Sequence, residues 1–213
     1  MNMQFCDVCE KPLPGRGLND SHVCAGCVAN GKRRTIERAE ADRVSVWPSI
    51  CPSAFREIDR DRLPDPGLLD RVLAWQFGAQ GLSVFGRTGR GKTRCIWQVL
   101  RREYLAGRDV LALDGFELSK FPRMLMADGG EADEFLDAAA EAPILFLDDP
   151  FKCVFSPRIE EAIFSIVDRR TAWGKPIVLT TNDTGETLQQ RVSVERGAAL
   201  VRRLRDYSQQ VVA

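Results

Sequence analysis

The eight residues Gly86-Arg87-Thr88-Gly89-Arg90-Gly91-Lys92-Thr93 fit the pattern G-x-x-x-x-G-K-[ST]. No other stretch constrains the fold so tightly. The pattern has meaning only between a preceding strand and a following helix. Both flanks comply. LSVF at 82–85 is a short apolar strand, and a helix is predicted from Lys92 to about Ala106, with Gly107 to end it. In that setting the glycines let backbone N–H groups wrap a polyphosphate, and the helix N-terminus adds partial positive charge. Gly86, Arg87, Thr88, Gly89, Arg90, Gly91, Lys92, Thr93 and Arg94 are the predicted nucleotide-binding residues. Lys92 would reach the β- and γ-phosphates, and Thr93 Oγ1 would bind Mg²⁺ beside ATP.

A loop of this kind needs a carboxylate near the metal. ILFL at 144–147 runs directly into Asp148 and Asp149. Four apolar residues place that strand in the middle of a sheet. Its end would bring Asp148 beside Thr93 and Mg²⁺, and Asp149 toward the attacking water. The next β-rich run, PIVLTT at 176–181, ends at Asn182. A polar side chain there can hydrogen-bond the γ-phosphate or the lytic water.

The remaining pattern is α/β. Strands are predicted at 82–85, 110–113, 144–147 and 176–181, with a last one at QQVVA. Helices are predicted at 68–75, 116–127, 131–141 and 157–173, followed by two short ones. Near-continuous apolar strands alternating with helices imply a parallel sheet covered on both faces. The chain has 213 residues, 44% of them hydrophobic, which suits one such core with a small appended module. Thirty basic and thirty acidic residues balance, so any basic surface is local. No apolar run approaches the roughly 18 residues of a membrane span. The N-terminus has no apolar segment of a signal peptide, so a cytoplasmic location is expected.

Seven cysteines then need an account. In a reducing compartment they are thiols or metal ligands rather than disulfides. Cys6 and Cys9 form one CxxC pair, Cys24 and Cys27 another, fourteen residues apart. That spacing predicts one structural Zn²⁺ held by four thiolates. Residues 1–30 have too few apolar side chains to fold by burial, so the metal would supply their stability. His22 could replace one cysteine, and a redox dithiol is the competing reading. Cys51, Cys95 and Cys153 read as packed or surface thiols. The run Lys32-Arg33-Arg34 could meet phosphates or form a solvated face. Pro48 and Pro52 are expected to break the helical or linker segment that precedes them.

Four pieces in order carry a family resemblance: GRTGRGKTR, ILFLDDPFK, EEAIFSIVDRRTAWGKPIVLTTN and ALVRRLRD. Together they resemble the AAA+ ATPases of the DnaC/DnaI helicase-loader group, with IstB-like proteins as near relatives. The resemblance implies Lys92 and Thr93 as Walker A residues, Asp148 and Asp149 as Walker B, and Asn182 as sensor 1. It implies an arginine finger acting on ATP of a neighbouring subunit. Arg203, followed by Leu204, best fits that position, and Arg202 is next. Arg170 would serve a subunit interface or single-stranded DNA. The implied organisation is a zinc-ribbon-like module at 1–31, a helical or linker segment at 32–50, and an AAA+ domain at 51–213 without a separate C-terminal lid. The implied partners are a hexameric replicative helicase gripped by the zinc module, single-stranded DNA, and further copies of the chain. The zinc module could also contact DNA.

Two departures from the family matter. Pro150-Phe151-Lys152 follow the acidic pair where a glycine turn is usual. Asp149 stands where most AAA+ proteins carry Glu, so slow hydrolysis is expected, with the nucleotide acting as a switch. Three other readings stay open: an IstB-like transposition ATPase, a P-loop kinase for a small molecule, and a nucleotide-gated adaptor with negligible turnover.

Overall fold

The structure is a computed structural model that describes residue 6 and residues 8–11, 25–127, 129–152 and 156–213, without the side chains of 194 and 195. His22, Cys24 and Cys153 lie outside the described residues. The chain divides into two compact units, Met1–Trp47 and Pro48–Ala213.

Helix α1 (Ala25–Ile50) includes Pro48, which the sequence reading had expected to break it. Only two residues of helix follow this proline. Arg56 then donates to the carbonyls of Pro48 (2.6 Å) and Cys51 (3.0 Å) as the chain leaves the helix. Among the described residues, no helix is long and apolar enough to cross a membrane.

In the second unit the chain alternates between strand and helix. Helix α2 (Gly67–Leu73) leads to β1 (Gly81–Phe85), α3 (Lys92–Leu105) and β2 (Val110–Asp114). Helices α4 (Gly115–Ser119), α5 (Phe121–Met124) and α6 (Glu131–Glu141) follow, then β3 (Ile144–Asp148). Helix α7 (Pro157–Ala172), β4 (Ile177–Thr181), α8 (Gly185–Arg191), α9 (Val194–Asp206) and β5 (Ser208–Val212) complete it. The expected single helix at 116–127 is therefore two. Pro122 lies in the first turn of α5; it has no N–H for a continuous ladder but fits a helix start.

The five strands are all parallel, in the order β2-β3-β4-β1-β5. Alternate residues of β3 serve opposite faces. Leu145 and Leu147 join Ile163, Ile166 and Val167 of α7 and Leu200 and Leu204 of α9 in one core cluster. Phe146 meets the Trp97 ring of α3 edge-on, at 5.6 Å between centroids. With both faces covered, β3 is apolar throughout instead of alternating with polar residues.

Arg170 corrects the sequence reading. It is fully buried, so it is not available to DNA or to another subunit. Its Nη1 donates to the carbonyls of Ala139 (2.8 Å) and Ala142 (2.9 Å), and its Nη2 to that of Pro176 (2.7 Å). These carbonyls belong to the end of α6 and the approach to β4, where the backbone has no ladder partner. Burial pushes the Arg170 guanidinium down to about 10, against an attraction from Glu141, and it remains charged at neutral pH. Arg170→Met should lower stability to urea by about 3 kcal/mol or more, because several buried carbonyls lose their donor. Arg170→Lys should recover only part of this, since an ammonium cannot span the same carbonyls. Equilibrium unfolding of the intact protein checks both.

Candidate nucleotide-binding site

The strand order brings three strand ends together. Strand β4 lies between β1 and β3, with Thr180 in register with both Val84 and Asp148. The Thr180 hydroxyl donates to Asp148 Oδ1 (2.5 Å) and accepts from the Asp149 amide (3.1 Å). The Asp149 amide also donates to the Thr180 carbonyl at 3.0 Å. Thr93 Oγ1, in the first turn of α3, donates to the same Asp148 oxygen at 2.7 Å. The hydroxyl and carboxylate expected to share Mg²⁺ are thus already in contact. A hard cation that takes oxygen ligands suits this pair.

Asp149 makes the turn out of β3 with φ of 48°. Asp is among the few residues that tolerate the left-handed region, at a cost of about 1 kcal/mol. No glycine is needed here, and the next residues form a short 3₁₀ turn at Pro150–Lys152.

Lys92 is 7% exposed. Its ammonium donates to the Gly86 carbonyl (2.8 Å), the Arg87 carbonyl (3.1 Å) and Asn182 Oδ1 (2.8 Å). These three bonds use all three of its N–H groups. Asn182 Nδ2 in turn donates to Asp149 Oδ2 at 2.5 Å. Asn182 is therefore a bridge, with its carbonyl toward the cation and its amide toward the carboxylate. Burial lowers the Lys92 ammonium below its ordinary range and Lys152 adds to this, while Asp149 and Asp148 pull it back. Burial likewise raises the Asp149 carboxyl; Asn182, Lys152 and Lys92 oppose that shift and Asp148 reinforces it.

The loop between β1 and α3 is held at both ends. The Gly86 amide donates to the Thr181 carbonyl at 3.2 Å. Gly91 has φ of 86°, and a Cβ there would lie 2.6 Å from Leu63 Cδ2. Leu63 thus closes on the loop, and nothing in its local sequence marks it for that. Arg87, Thr88, Gly89 and Arg90 are exposed, open to a phosphate. Arg94 turns aside toward the Glu57 carbonyl at 3.4 Å.

The terminal arginines do not join this cluster. Arg203 is near the end of α9, one turn before Tyr207, whose carbonyl accepts from the Gly81 amide at 2.8 Å. Gly81 begins β1, whereas the loop follows its other end, about 17 Å away for a five-residue strand. Arg203 is paired with Asp168 of α7, and Arg202 is exposed. No local pattern marks the Asp168 pairing, since it depends on how α7 packs on α9.

In the first unit the sulfurs of Cys6, Cys9 and Cys27 lie within 4.8 Å of one another. Four thiolates around Zn²⁺ at about 2.3 Å stand roughly 3.8 Å apart, so the three sulfurs fit such an ion. The Glu10 amide donates to the Cys6 carbonyl at 2.9 Å, which folds the first CxxC into a turn. Cys24, the expected fourth ligand, lies outside the described residues.

No protein-family model matches the chain, and no curated protein matches its sequence. Solved structures do match its fold. The DnaC helicase loader is 22% identical, with a TM-score of 0.56 over 68% of this chain and 85% of that one. DnaI is 20% identical, with a TM-score of 0.55 over 78% of this chain and 89% of that one. The replication initiator DnaA, bound to AMPPCP and single-stranded DNA, is 19% identical, with a TM-score of 0.57 over 69% of this chain. The match spans 44% of that DnaA chain. At these identities the likeness is one of fold alone, a DnaC/DnaI-like AAA+ fold.

Two outcomes test the site. In nucleotide-free, magnesium-free protein, the raised Asp149 pKa means that the folded state holds this proton more tightly than the unfolded state. The ionised carboxylate is then a net cost above the ordinary carboxylate range of about 4. Asp149→Asn should raise the melting temperature at pH 7, and the gain should shrink as pH falls through that range. Elemental analysis should find one zinc per chain, and Cys6→Ser/Cys9→Ser should remove it.

Proposed function

We propose that this protein is an ATP-dependent helicase loader of DNA replication. It docks a hexameric replicative helicase through the cysteine module and places it on single-stranded DNA. One observation carries the reading. Lys92, Thr93, Asp148, Asp149 and Asn182 converge at one end of a sheet whose fold covers most of the DnaI and DnaC chains. On this reading Thr93 and Asp148 would hold Mg²⁺, which would supply positive charge against the phosphates. Lys92 leaves its internal partners for the β- and γ-phosphates. Asn182 orients the γ-phosphate or the water. Asp149, once freed from Asn182, accepts the proton of the attacking water. Its shorter reach than Glu favours slow turnover, so ATP acts largely as a timer.

Arg203, with Arg202 as the alternative, supplies the trans arginine. Its place at the far end of the sheet from its own phosphate loop supports an action on a neighbouring copy, which makes hydrolysis depend on assembly. The exposed loop side chains Arg87 and Arg90 add charge where a polyphosphate would lie. Cytoplasmic action follows from this role. An IstB-like transposition ATPase would use the same core with a transposase as partner.

Circular single-stranded DNA has no end for a preformed helicase ring to thread. Stable helicase retention on such circles should require this protein and ATP. Cys6→Ser/Cys9→Ser should abolish helicase capture while leaving ATP binding intact. Lys92→Ala should lose ATP binding, and Asp149→Asn should keep it while hydrolysis falls by a factor on the order of 100. Failure to bind the helicase, together with capture of a transposase, would sink the loader reading.

A further inference from the structure

We propose that Asp168 is a positioning residue that fixes Arg203 for a nucleotide held by a second copy of this chain. The inference rests on the trans-arginine reading above. It comes from how differently two adjacent arginines are treated. Arg202 is exposed and has no hydrogen-bond or ion-pair partner among the described residues. Arg203 is fixed twice. Its Nη2 lies 2.5 Å from Asp168 Oδ1, and its guanidinium carbon lies 5.0 Å from the centre of the Phe164 ring.

Both partners come from α7. Phe164 and Asp168 are four residues apart, so they share one helix face. The ring supports the guanidinium on one side, and the carboxylate holds one of its terminal nitrogens. A guanidinium carries five N–H groups in a rigid fork. Asp168 is the ion-pair partner of Arg203 among the described residues and engages Nη2, so the rest of the fork remains for a phosphate. Such a fork matches phosphate oxygens two at a time, provided that its direction is already fixed.

The surroundings suit this use. Asp168, Thr171, Arg202, Arg203, Asp206 and Tyr207 line a polar hollow of about 400 Å³. The Arg203 side chain is 25% exposed, enough to present an edge without swinging free. Stability does not account for Asp168. Its side chain is 51% exposed, and exposed ion pairs contribute little to folding. Positioning does account for it, because an arginine aimed in advance loses less freedom when a phosphate arrives.

Subunit mixing separates this role from a structural one. Lys92→Ala protein keeps Arg203 but lacks nucleotide, and Arg203→Ala protein keeps nucleotide but lacks the arginine. Steady-state hydrolysis of ATP with Mg²⁺ and single-stranded DNA is read for each alone and for the mixture. Mixing should restore turnover. With Lys92→Ala/Asp168→Asn as the arginine donor, restoration should fall at least about tenfold. Lys92→Ala/Asp168→Glu should recover part of it. Asp168→Asn placed instead in the Arg203→Ala subunit should change nothing. Equal losses in both placements would make Asp168 structural and overturn the proposal. An unchanged or faster rate with the Asp168→Asn donor would also overturn it. No restoration in the first mixture would defeat the trans reading itself, and the role of Asp168 with it.

Discussion

The candidate site depends on β4 lying between β1 and β3. A loop after β1 and a carboxylate after β3 are two strands apart, so something on the strand between must join them. Thr180 does so. Its register with Val84 on one side and Asp148 on the other puts one hydroxyl in the middle of the row. That hydroxyl holds Asp148 and receives the Asp149 amide. One residue on, the Thr181 carbonyl receives the Gly86 amide. One further, Asn182 reaches Lys92 and Asp149. Three consecutive residues of β4 and its exit thus tie the phosphate loop to the acidic pair. The tie is rigid because all five residues of β4 are buried.

That arrangement has a consequence for nucleotide binding. Lys92 has no free N–H group, and Asn182 is occupied at both ends. On the proposed reading, phosphates must displace existing hydrogen bonds instead of filling empty space. The exchange is favourable because a polyphosphate offers more negative charge than two carbonyls and an amide oxygen. The same exchange releases Asn182, and with it Asp149. On that reading, arrival of the γ-phosphate and release of the Asp149 carboxylate would be coupled through the one amide that bonds both Lys92 and Asp149.

Much of this was legible in the sequence, for definite reasons. β1, β3 and β4 are apolar runs of parallel strands, and their polar ends named Asp148, Asp149 and Asn182. The loop pattern named Lys92 and Thr93 because its chemistry tolerates few substitutes. Other features were hidden. The break between α4 and α5 turns on Pro122, inside an otherwise helical pattern. Pro48 looked like a breaker, yet helix α1 continues through it to Ile50. Leu63 meets Gly91 only after the chain has folded back, and no local pattern encodes that. The fate of Arg203 was hidden too, since Asp168 is distant in sequence and its pairing is a matter of helix packing.

Arg170 and Arg203 show why residue type alone could not sort the arginines. Both were expected at a surface. Arg170 follows Asp168 by two residues on α7 and so points to a different side of the helix. That side faces the end of α6 and the approach to β4, where carbonyls stand without ladder partners. A guanidinium can satisfy several of them at once, and its charge is tolerable because each contact is an oxygen. The bond to the Pro176 carbonyl fixes the residue just before β4 begins. Arg170 therefore anchors the strand on which Thr180, Thr181 and the exit to Asn182 depend. It has no contact with the candidate site, yet it holds the opposite end of the strand that builds it. The Asp-Arg-Arg segment before PIVLTTN thus combines two separate tasks. Asp168 pairs with Arg203 of α9, and Arg170 secures the strand within.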